Sequence, residues 1–488
     1  MAKKAIIIGA GIAGIASAIR LTQKGYSVSI FESNGYAGGK LTTLQLGNYR
    51  FDAGPSLFTL PHLVDELFEV AGKDPRDYFN YQQLEMLCHY FYEDGTVLHA
   101  FADQEKLIKE VESKLNIDSK PLKEYLNHSE IIFERTRHSF LEKSLHKFSS
   151  YISLDILKTV TSMRKLNLFE TMHEVNEKSL NHPKLVQLFD RFATYNGSNP
   201  YKAPGVLNSI PHLEFGIGSF FPTEGMHEIL KACMKLAQEL GVEFHFNEEV
   251  KTIQIKNRKV TGIETETGIH TAELILSNCD VKQTYKQLIP NQKAPEKTMN
   301  QEPSSSALIF YWGIQKSFPE LDVHNILFSD DYKKEFNAIF DDSTVSDDPT
   351  VYIHISSKIV SEDAPIGSEN WFIMVNVPSN QGQDWEKLRL KVRQLCIEKI
   401  NRILKTDIES LIEEEDYLDP IRISERTNSF GGALYGASSN ERMAAFFRHP
   451  NFSKVKGLYF AGGSVHPGGG IPLCLLSAKI ATDLIPNA

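Results

Sequence analysis

Three glycines near the N-terminus have a spacing that suits contact with phosphate groups. Gly9, Gly11 and Gly14 follow an apolar run at residues 5–8 and precede a segment with helical periodicity. In this pattern one glycine makes a tight turn, one lets the backbone approach a diphosphate, and one lets the helix pack closely on the strand. The GxGxxG pattern is weak by itself, so the elements around it must carry the prediction.

Those elements occur in the order that a dinucleotide-binding fold requires. We predict a buried parallel strand at residues 5–8, a helix at about 13–24 and a second strand at 26–31. Glu32 then stands at the C-terminal end of the second strand, where a carboxylate can accept hydrogen bonds from an adenosine ribose. The glycines also interrupt the apolar run after Lys3 and Lys4, which argues against a secretory signal peptide.

Further segments suit the same cofactor. The glycine pair that ends in Gly39 is followed by Lys40, and backbone amides with a cation suit a second contact with diphosphate. Such a contact favours a flavin dinucleotide over NAD. Ser56 follows in a tight turn that could pass the flavin ring, although FDAGPS alone is typical of an ordinary turn.

The C-terminal half adds three more segments to this cofactor site. A strand that ends near Asn278 could approach the diphosphate, and Val250 in a short strand could lie beside an adenine. A buried strand at residues 457–463 then breaks into glycines, and Gly470 precedes a helix at 473–484. Unpaired amides at this helix N-terminus favour negative charge.

The amino-acid composition limits the class of protein and the kinds of partner that the chain can have. The 488 residues are 41% hydrophobic and 23% charged, as in a globular protein of more than one domain. The net charge of −10 argues against a nucleic-acid partner. No apolar run approaches the roughly 18 residues of a membrane-spanning helix. No metal site is expected, and the scattered cysteines are typical of reduced thiols in a cytosolic protein: Cys88, Cys233, Cys279, Cys396 and Cys474.

Residues 135–165 are basic within this acidic chain. The segment has seven basic residues and only two acidic ones, a local charge of +5. A basic amphipathic stretch can lie on an anionic lipid surface. A solvated helical face over an ordinary core is the alternative, and the sequence leaves both open.

The rest of the chain predicts a second domain. Residues 103–188 are mainly helical by period, Asp94-Gly95 lies between the strands of a hairpin in a small antiparallel sheet, and 307–313, 350–356 and 371–377 are strand-like. We expect a discontinuous cofactor domain and a discontinuous substrate-binding, membrane-associating region. The cofactor domain comprises residues 1–102, 221–290 and 420–488, and the substrate region comprises 103–220 and 291–419.

Several motifs together resemble the phytoene desaturase-type family of bacterial carotenoid desaturases. They are GAGIAG, YAGGK, FDAGPS, PHLEFGIGSFFPTEGM and, most specifically, FFRHPN with GLYFAGGSVHPGGGIPLCLLSAK. The resemblance implies an α/β fold with a Rossmann-like FAD-binding domain of the flavin amine oxidase or carotenoid desaturase type. A second α+β domain would carry an antiparallel sheet and a helical membrane-facing part. Carried over by position, these residues would contact FAD: Gly9, Gly11, Ala13, Gly14, Glu32, Gly39, Lys40, Ser56, Leu57, Val250, Asn278, Gly463, Gly470 and Ile471.

The resemblance also implies a cytoplasmic enzyme on the inner face of the cell membrane. It would take a polyene from the bilayer, transfer a hydride to flavin, and pass electrons to oxygen or a quinone. The sequence HISSK around His354 replaces the His-Arg-Pro common in enzymes that act on phytoene, which favours the hydroxycarotenoid 3,4-desaturase branch. Phytoene desaturation, carotenoid cis-trans isomerisation, amine oxidation and a lipid-binding escort protein without cofactor are the alternatives. Weak candidates for a catalytic base are His212, Glu214, Glu224, His354 and Glu425.

Overall fold

The predicted N-terminal unit forms the centre of a parallel sheet in the computed structural model, which describes residues 2–146, 166–441, 444 and 447–488. All neighbouring strands of this five-stranded sheet run parallel. The central strand is buried beyond its first residue because its isoleucines are covered on both faces. In order across the sheet, the strands are Leu458–Phe460, Leu274–Ser277, Lys4–Ile8, Ser27–Phe31 and Glu243–His245.

Two helices from opposite ends of the chain share one apolar core with this sheet. Ile12–Gln23 contributes Ile15 and Ile19, and Ile471–Asp483 contributes Leu475. All three side chains are buried. The predicted parallel unit and the predicted C-terminal helix are therefore confirmed, with ends that differ by one or two residues.

An antiparallel hairpin follows Val250, so Val250 precedes the short strand in which it was predicted to lie. Thr252–Lys256 pairs antiparallel with Lys259–Thr265, and Gly268–Thr271 adds a third strand. Val250 lies just before the hairpin and is buried.

The second domain contains a seven-stranded sheet that is antiparallel except at one position. The predicted strands near 307, 350 and 371 are confirmed as its centre. The hairpin around Asp94-Gly95 forms as predicted, but it joins the edge of this sheet through a parallel contact with His324–Leu327, so the expectation of a separate small sheet was wrong. Residues after Met86 in its first strand are all buried, which requires cover on both faces. Across the sheet the strands are Ile412–Leu418, Ser306–Ile314, Glu369–Val377, Val351–Ile355, His324–Leu327, Met86–Phe91 and Val97–Phe101.

Short strand pairs and helices connect the two larger sheets. Tyr81–Gln83 pairs with Phe220–Pro222, and Thr43–Leu46 pairs with Tyr49–Asp52. The other α-helices of the described ranges are His62–Glu69, Gln104–Leu115, Lys120–Thr136, Met172–Leu180, Pro183–Asp190, Glu228–Glu239, Val281–Gln283, Glu296–Asn300, Tyr332–Phe340, Trp385–Leu404 and Pro420–Thr427.

The basic segment at 135–165 lies largely outside the described residues, which stop at 146 and resume at 166. Its predicted membrane contact therefore stays a prediction, as do the domain boundaries. Within the described ranges, no helix combines the length and the apolar character needed to cross a membrane.

Candidate active site

A cavity of about 930 Å³ lies between the parallel sheet and the seven-stranded sheet. This volume is near the upper end of the usual range for small-molecule sites, roughly 300–1,000 Å³. Its position at the carboxyl ends of the parallel strands is where open α/β sheets bind their ligands. The predicted cofactor-binding residues that line it are Gly9, Gly11, Ala13, Glu32, Gly39, Lys40, Ser56, Leu57, Val250, Asn278, Gly463, Gly470 and Ile471.

Gly14 does not line the cavity, and its role is close packing beneath the first turn. A Cβ atom at Gly14 would lie 2.3 Å from the carbonyl oxygen of Gly9. At Gly11 a Cβ atom would lie 2.7 Å from Oδ1 of Asn278. The turn therefore excludes any side chain at these two positions, as predicted from the spacing of the glycines.

Two helix N-termini begin at the wall of the cavity. Ile12–Gln23 follows Gly11 and Ile471–Asp483 follows Gly470, and neither first turn is capped by a side chain. Their free backbone N–H groups and helix dipoles favour a bound anion such as a diphosphate. Gly470 has φ of +97° and open space where a Cβ atom would project. These features fit a bound dinucleotide.

Glu32 is buried at the end of the second parallel strand. Its carboxylate accepts hydrogen bonds from the backbone N–H of Ala10 at 2.8 Å and from the backbone N–H of Asn34 at 2.9 Å. These bonds hold the carboxylate at the cavity wall. Its remaining acceptor sites can receive bonds from a ribose hydroxyl.

Lys40 provides the cation that the sequence places after the glycine pair. Its Nζ donates to the carbonyl oxygens of Ala433 and Leu434 at 2.9 and 2.8 Å. Burial lowers the pKa of Lys40 to about 8, although nearby Asp280 opposes this shift. Lys40 and Asp280 both line the cavity, and the contact of Lys40 with a diphosphate stays a prediction.

A hydrogen-bonded chain leads from the cavity into the second sheet. The hydroxyls of Ser56 and Tyr352 lie 2.7 Å apart, and the Tyr352 hydroxyl lies 2.8 Å from Nδ1 of His324. Burial raises the pKa of Tyr352, which keeps its hydroxyl protonated. His324 stacks on His354 with ring centroids 5.1 Å apart. Sequence reasoning missed Tyr352 because it comes from a distant strand.

Of the five candidate bases, only Glu425 lines the cavity, and its side chain is exposed. Glu224 is exposed elsewhere, and His212 is half-buried against a helix, where burial lowers its pKa. His354 is buried, and burial lowers its pKa to about 4. Glu214 is buried, burial raises its pKa, and it is ion-paired. The catalytic role proposed for each stays a prediction.

The partner of Glu214 is Arg191, which sequence reasoning also missed. The guanidinium Nη2 lies 3.3 Å from the carboxylate Oε2, and Arg191 lines the cavity. A signal was present: the charged pair Asp190-Arg191 interrupts the apolar segment LVQLFDRFA. Charged residues are rarely buried unless they are paired, so such an interruption indicates a specific role.

The chain is similar in sequence and in fold to several known proteins. The sequence matches the family of flavin containing amine oxidoreductases over residues 12–486. It is 55% identical to a 1-hydroxycarotenoid 3,4-desaturase of Flavobacterium sp. (strain P99-3), with 99% of each chain covered. It is 32% identical to a 4,4'-diaponeurosporene oxygenase of Staphylococcus haemolyticus (strain JCSC1435), over 99% of this chain and 97% of that protein. A solved oxidoreductase from Methanosarcina mazei shares the fold, with a TM-score of 0.65 at 16% identity over 98% of this chain and 100% of the other.

Proposed function

Because the chain belongs to the flavin-containing amine oxidoreductases and, among them, to the carotenoid desaturases, we propose that it introduces the 3,4 double bond into a 1-hydroxylated carotenoid. The observation that carries this proposal is the 55% identity to a 1-hydroxycarotenoid 3,4-desaturase from end to end of both chains. The chain is an FAD-dependent oxidoreductase, and FAD supplies the two-electron acceptor when bound.

The apolar lining of one side of the cavity supports a substrate with an apolar body. One side of the cavity contains the glycine turns and Lys40, and the other contains side chains of the seven-stranded sheet. Ile309, Ile326, Phe372 and Met374 give this second side an apolar surface. A polyene against this wall would be shielded from water, and its reacting carbons would be held in one orientation.

The protein's own contribution is then binding, orientation and exclusion of water. An unactivated carbon pair next to a polyene has no acidic proton, so a strong base would gain little by acting first. The acceptor of the proton lost from the neighbouring carbon can be weak. Among the five predicted bases, Glu425 alone lines the cavity. It adjoins Arg426, whose carbonyl accepts a hydrogen bond from Asn34 beside Glu32, so it lies on the ribose side of the cavity and we assign no base to this step.

The test of this function is flavin absorbance under anaerobic conditions. FAD-loaded protein is mixed with liposomes that carry a 1-hydroxycarotenoid, lycopene or phytoene, and the products are weighed by mass spectrometry. We expect bleaching with the 1-hydroxycarotenoid and a product two hydrogens lighter. Bleaching with phytoene alone would identify a phytoene desaturase instead. A product of unchanged mass would indicate an isomerase. A heavier product that forms only when the mixture is repeated in air would indicate an oxygenase.

We further propose that the enzyme acts at the inner face of the cell membrane and passes electrons to oxygen or a quinone. The local charge of +5 in residues 135–165 supports contact with anionic lipid. Flotation with vesicles of neutral or anionic lipid tests this contact. Binding that does not depend on anionic lipid would contradict it. Re-oxidation of the bleached flavin by added quinone or by air identifies the acceptor.

A further inference from the structure

A buried guanidinium forms part of the wall of the cavity. Arg191 has only 7% of its surface exposed, yet it lines the cavity next to the apolar residues of the second sheet. Burial of a charge is costly unless the group is paired and hydrogen-bonded. Burial alone would lower the pKa of Arg191, but Tyr90 and Glu214 raise it, so the guanidinium stays charged. An arginine in this position therefore needs an explanation.

The protein does not supply enough acceptors for this group. Nη2 donates to the hydroxyl of Tyr90 at 2.8 Å and to Oε2 of Glu214 at 3.3 Å, and Nη1 reaches the hydroxyl of Tyr195 at 3.5 Å. A guanidinium has five N–H groups, and only three of them have acceptors among the described residues. Nε is buried and has no hydrogen-bond acceptor among the described residues. The second N–H of Nη1 is therefore available to a ligand.

Aromatic rings hold the guanidinium in place. Its central carbon lies 4.4 Å from the ring centroid of Phe192 and 5.3 Å from that of Tyr195. Tyr195 also lines the cavity. Among the described residues its hydroxyl takes part only in the hydrogen bond from Nη1 of Arg191, as the acceptor, so its own hydrogen has no acceptor there. Arg191 and Tyr195 thus present two unused donors at one place in a largely apolar wall.

The charge of this place selects a neutral oxygen over an anion. Glu214 already balances Arg191, so a bound carboxylate or phosphate would add an uncompensated buried charge. A neutral hydroxyl or carbonyl oxygen would accept the free hydrogen bonds without adding charge. The ligand that fits is a long apolar molecule with one oxygen at or near its end.

We propose that Arg191 and Tyr195 bind the hydroxyl group of a hydroxylated polyene and so determine which substrate and which bond are used. This inference rests on the proposed desaturase function. In a 1-hydroxycarotenoid the hydroxyl carbon is close along the chain to the 3,4 bond. Binding the hydroxyl therefore positions that bond in the cavity. Tyr352 also lines the cavity, and its hydroxyl lies 2.7 Å from that of Ser56 on the cofactor side.

The test compares the preference for a hydroxylated carotenoid over the matching unhydroxylated one. The preference is the ratio of the two kcat/KM values. A hydrogen bond to a charged group corresponds to roughly a 10- to 150-fold effect. We expect the ratio to fall by this amount in the double variant Arg191→Met, Glu214→Leu, which removes the ion pair as a unit. Tyr195→Phe should lower the ratio by a smaller factor, and KM for the hydroxylated substrate should rise more than kcat falls.

Tyr92→Phe is the matched control. Tyr92 is also a buried tyrosine, in the same apolar cluster as Phe192, but its hydroxyl donates to the carbonyl of Lys184 and it does not line the cavity. The ratio should stay unchanged in this variant. FAD content of each purified variant shows whether it has folded, and if the double variant lacks FAD, Tyr195→Phe decides the matter.

An unchanged ratio in FAD-containing Tyr195→Phe and in the folded double variant would overturn the inference. Failure of the proposed function is recognised separately. If the unaltered protein oxidises neither carotenoid, binding of each is measured directly from the shift of carotenoid absorbance. Tighter binding of the hydroxylated carotenoid that is lost in Tyr195→Phe would then still support the inference, and equal binding would refute it.

Discussion

FAD binding should weaken above pH 8 because of Lys40. Its ammonium group lies in the cavity wall and donates to two backbone carbonyls. Burial lowers its pKa from the ordinary 10.5 to about 8, against the opposing influence of Asp280 and of Cys474. In the FAD-free protein Lys40 therefore loses its proton at a pH where an exposed lysine would keep it.

The direction of the pH effect follows from the charge of the ligand. The negative diphosphate of FAD favours the ammonium form, so the pKa of Lys40 is higher in the complex than in the free protein. Well below pH 8 the lysine is charged in both states and affinity changes little with pH. Above pH 8 binding must take up a proton, and affinity falls by up to tenfold per pH unit. Proton uptake should be about 0.1 at pH 7 and about 0.9 at pH 9.

Calorimetric titration of FAD-free protein in two buffers with different ionisation enthalpies measures this uptake. Lys40→Arg keeps its charge at every pH used, so its Kd should stay flat between pH 7 and 9.5. Lys40→Met should bind roughly 10- to 150-fold more weakly at pH 7, the loss of a charge-assisted hydrogen bond, and should also show no slope. A Kd of the unaltered protein that is constant from pH 7 to 9.5 would refute the reasoning. So would an equal slope in Lys40→Met.

Three other substitutions test the cofactor domain. Gly14→Ala places a methyl group 2.3 Å from the carbonyl oxygen of Gly9. It should lower the free energy of unfolding by about 1–3 kcal/mol, measured by thermal or urea unfolding. Gly35→Ala is the control, because its methyl group meets only the end of a side chain at 3.2 Å and should have little effect. Glu32→Ala leaves the N–H of Ala10 without its acceptor. This variant should be less stable by about 1–3 kcal/mol and should contain less FAD. Normal flavin content would contradict the role assigned to Glu32. Asn451→Ala removes a buried amide that donates to the carbonyls of Phe460 and His466 and to the hydroxyl of Ser477 in the C-terminal helix. We expect a lower melting temperature with weaker FAD retention, and an unchanged melting temperature would count against this.

Local patterns predicted the cofactor domain well. The strand at Lys4–Ile8, the helix at Ile12–Gln23 and the strand at Ser27–Phe31 lie within one or two residues of their predicted positions. Each signal is contained within about ten residues: an apolar run, a glycine turn or a helical period. The pairing of Lys4–Ile8 with Ser27–Phe31 is also close in sequence, although its other pairing, with Leu274–Ser277, is not. Prediction therefore needed no knowledge of the distant chain.

Pairing between distant strands could not be predicted in the same way. The hairpin of Met86–Phe91 was expected in its own small sheet, but it pairs in parallel with His324–Leu327, far along the chain. Its alternation did not show that both faces are buried. The order of strands in a sheet depends on which faces meet in space, and a single sequence does not contain that information.

The polar residues of the cavity show the same difference between local and distant contacts. Lys40 and Glu32 follow local motifs and were predicted. Arg191 and Tyr352 come from a helix end and a sheet strand with ordinary local sequences, and they become part of one cavity only through tertiary packing. Burial of a charge is a tertiary property, so the interruption of an apolar segment at Arg191 was the one local sign of it.

Asn278 explains why segments so far apart in the sequence act as one site. Its Nδ2 donates to the carbonyl of Ala461 at 2.9 Å, which ties the strand Leu274–Ser277 to the C-terminal glycine pair. Its Oδ1 lies 2.7 Å from where a Cβ atom at Gly11 would be, and its Nδ2 lies 2.6 Å from where one at Gly462 would be. The same side chain thus requires glycine in the first turn and in the last. The N-terminal and C-terminal glycine motifs are therefore coupled through this amide, and neither can accept a side chain while Asn278 holds its position.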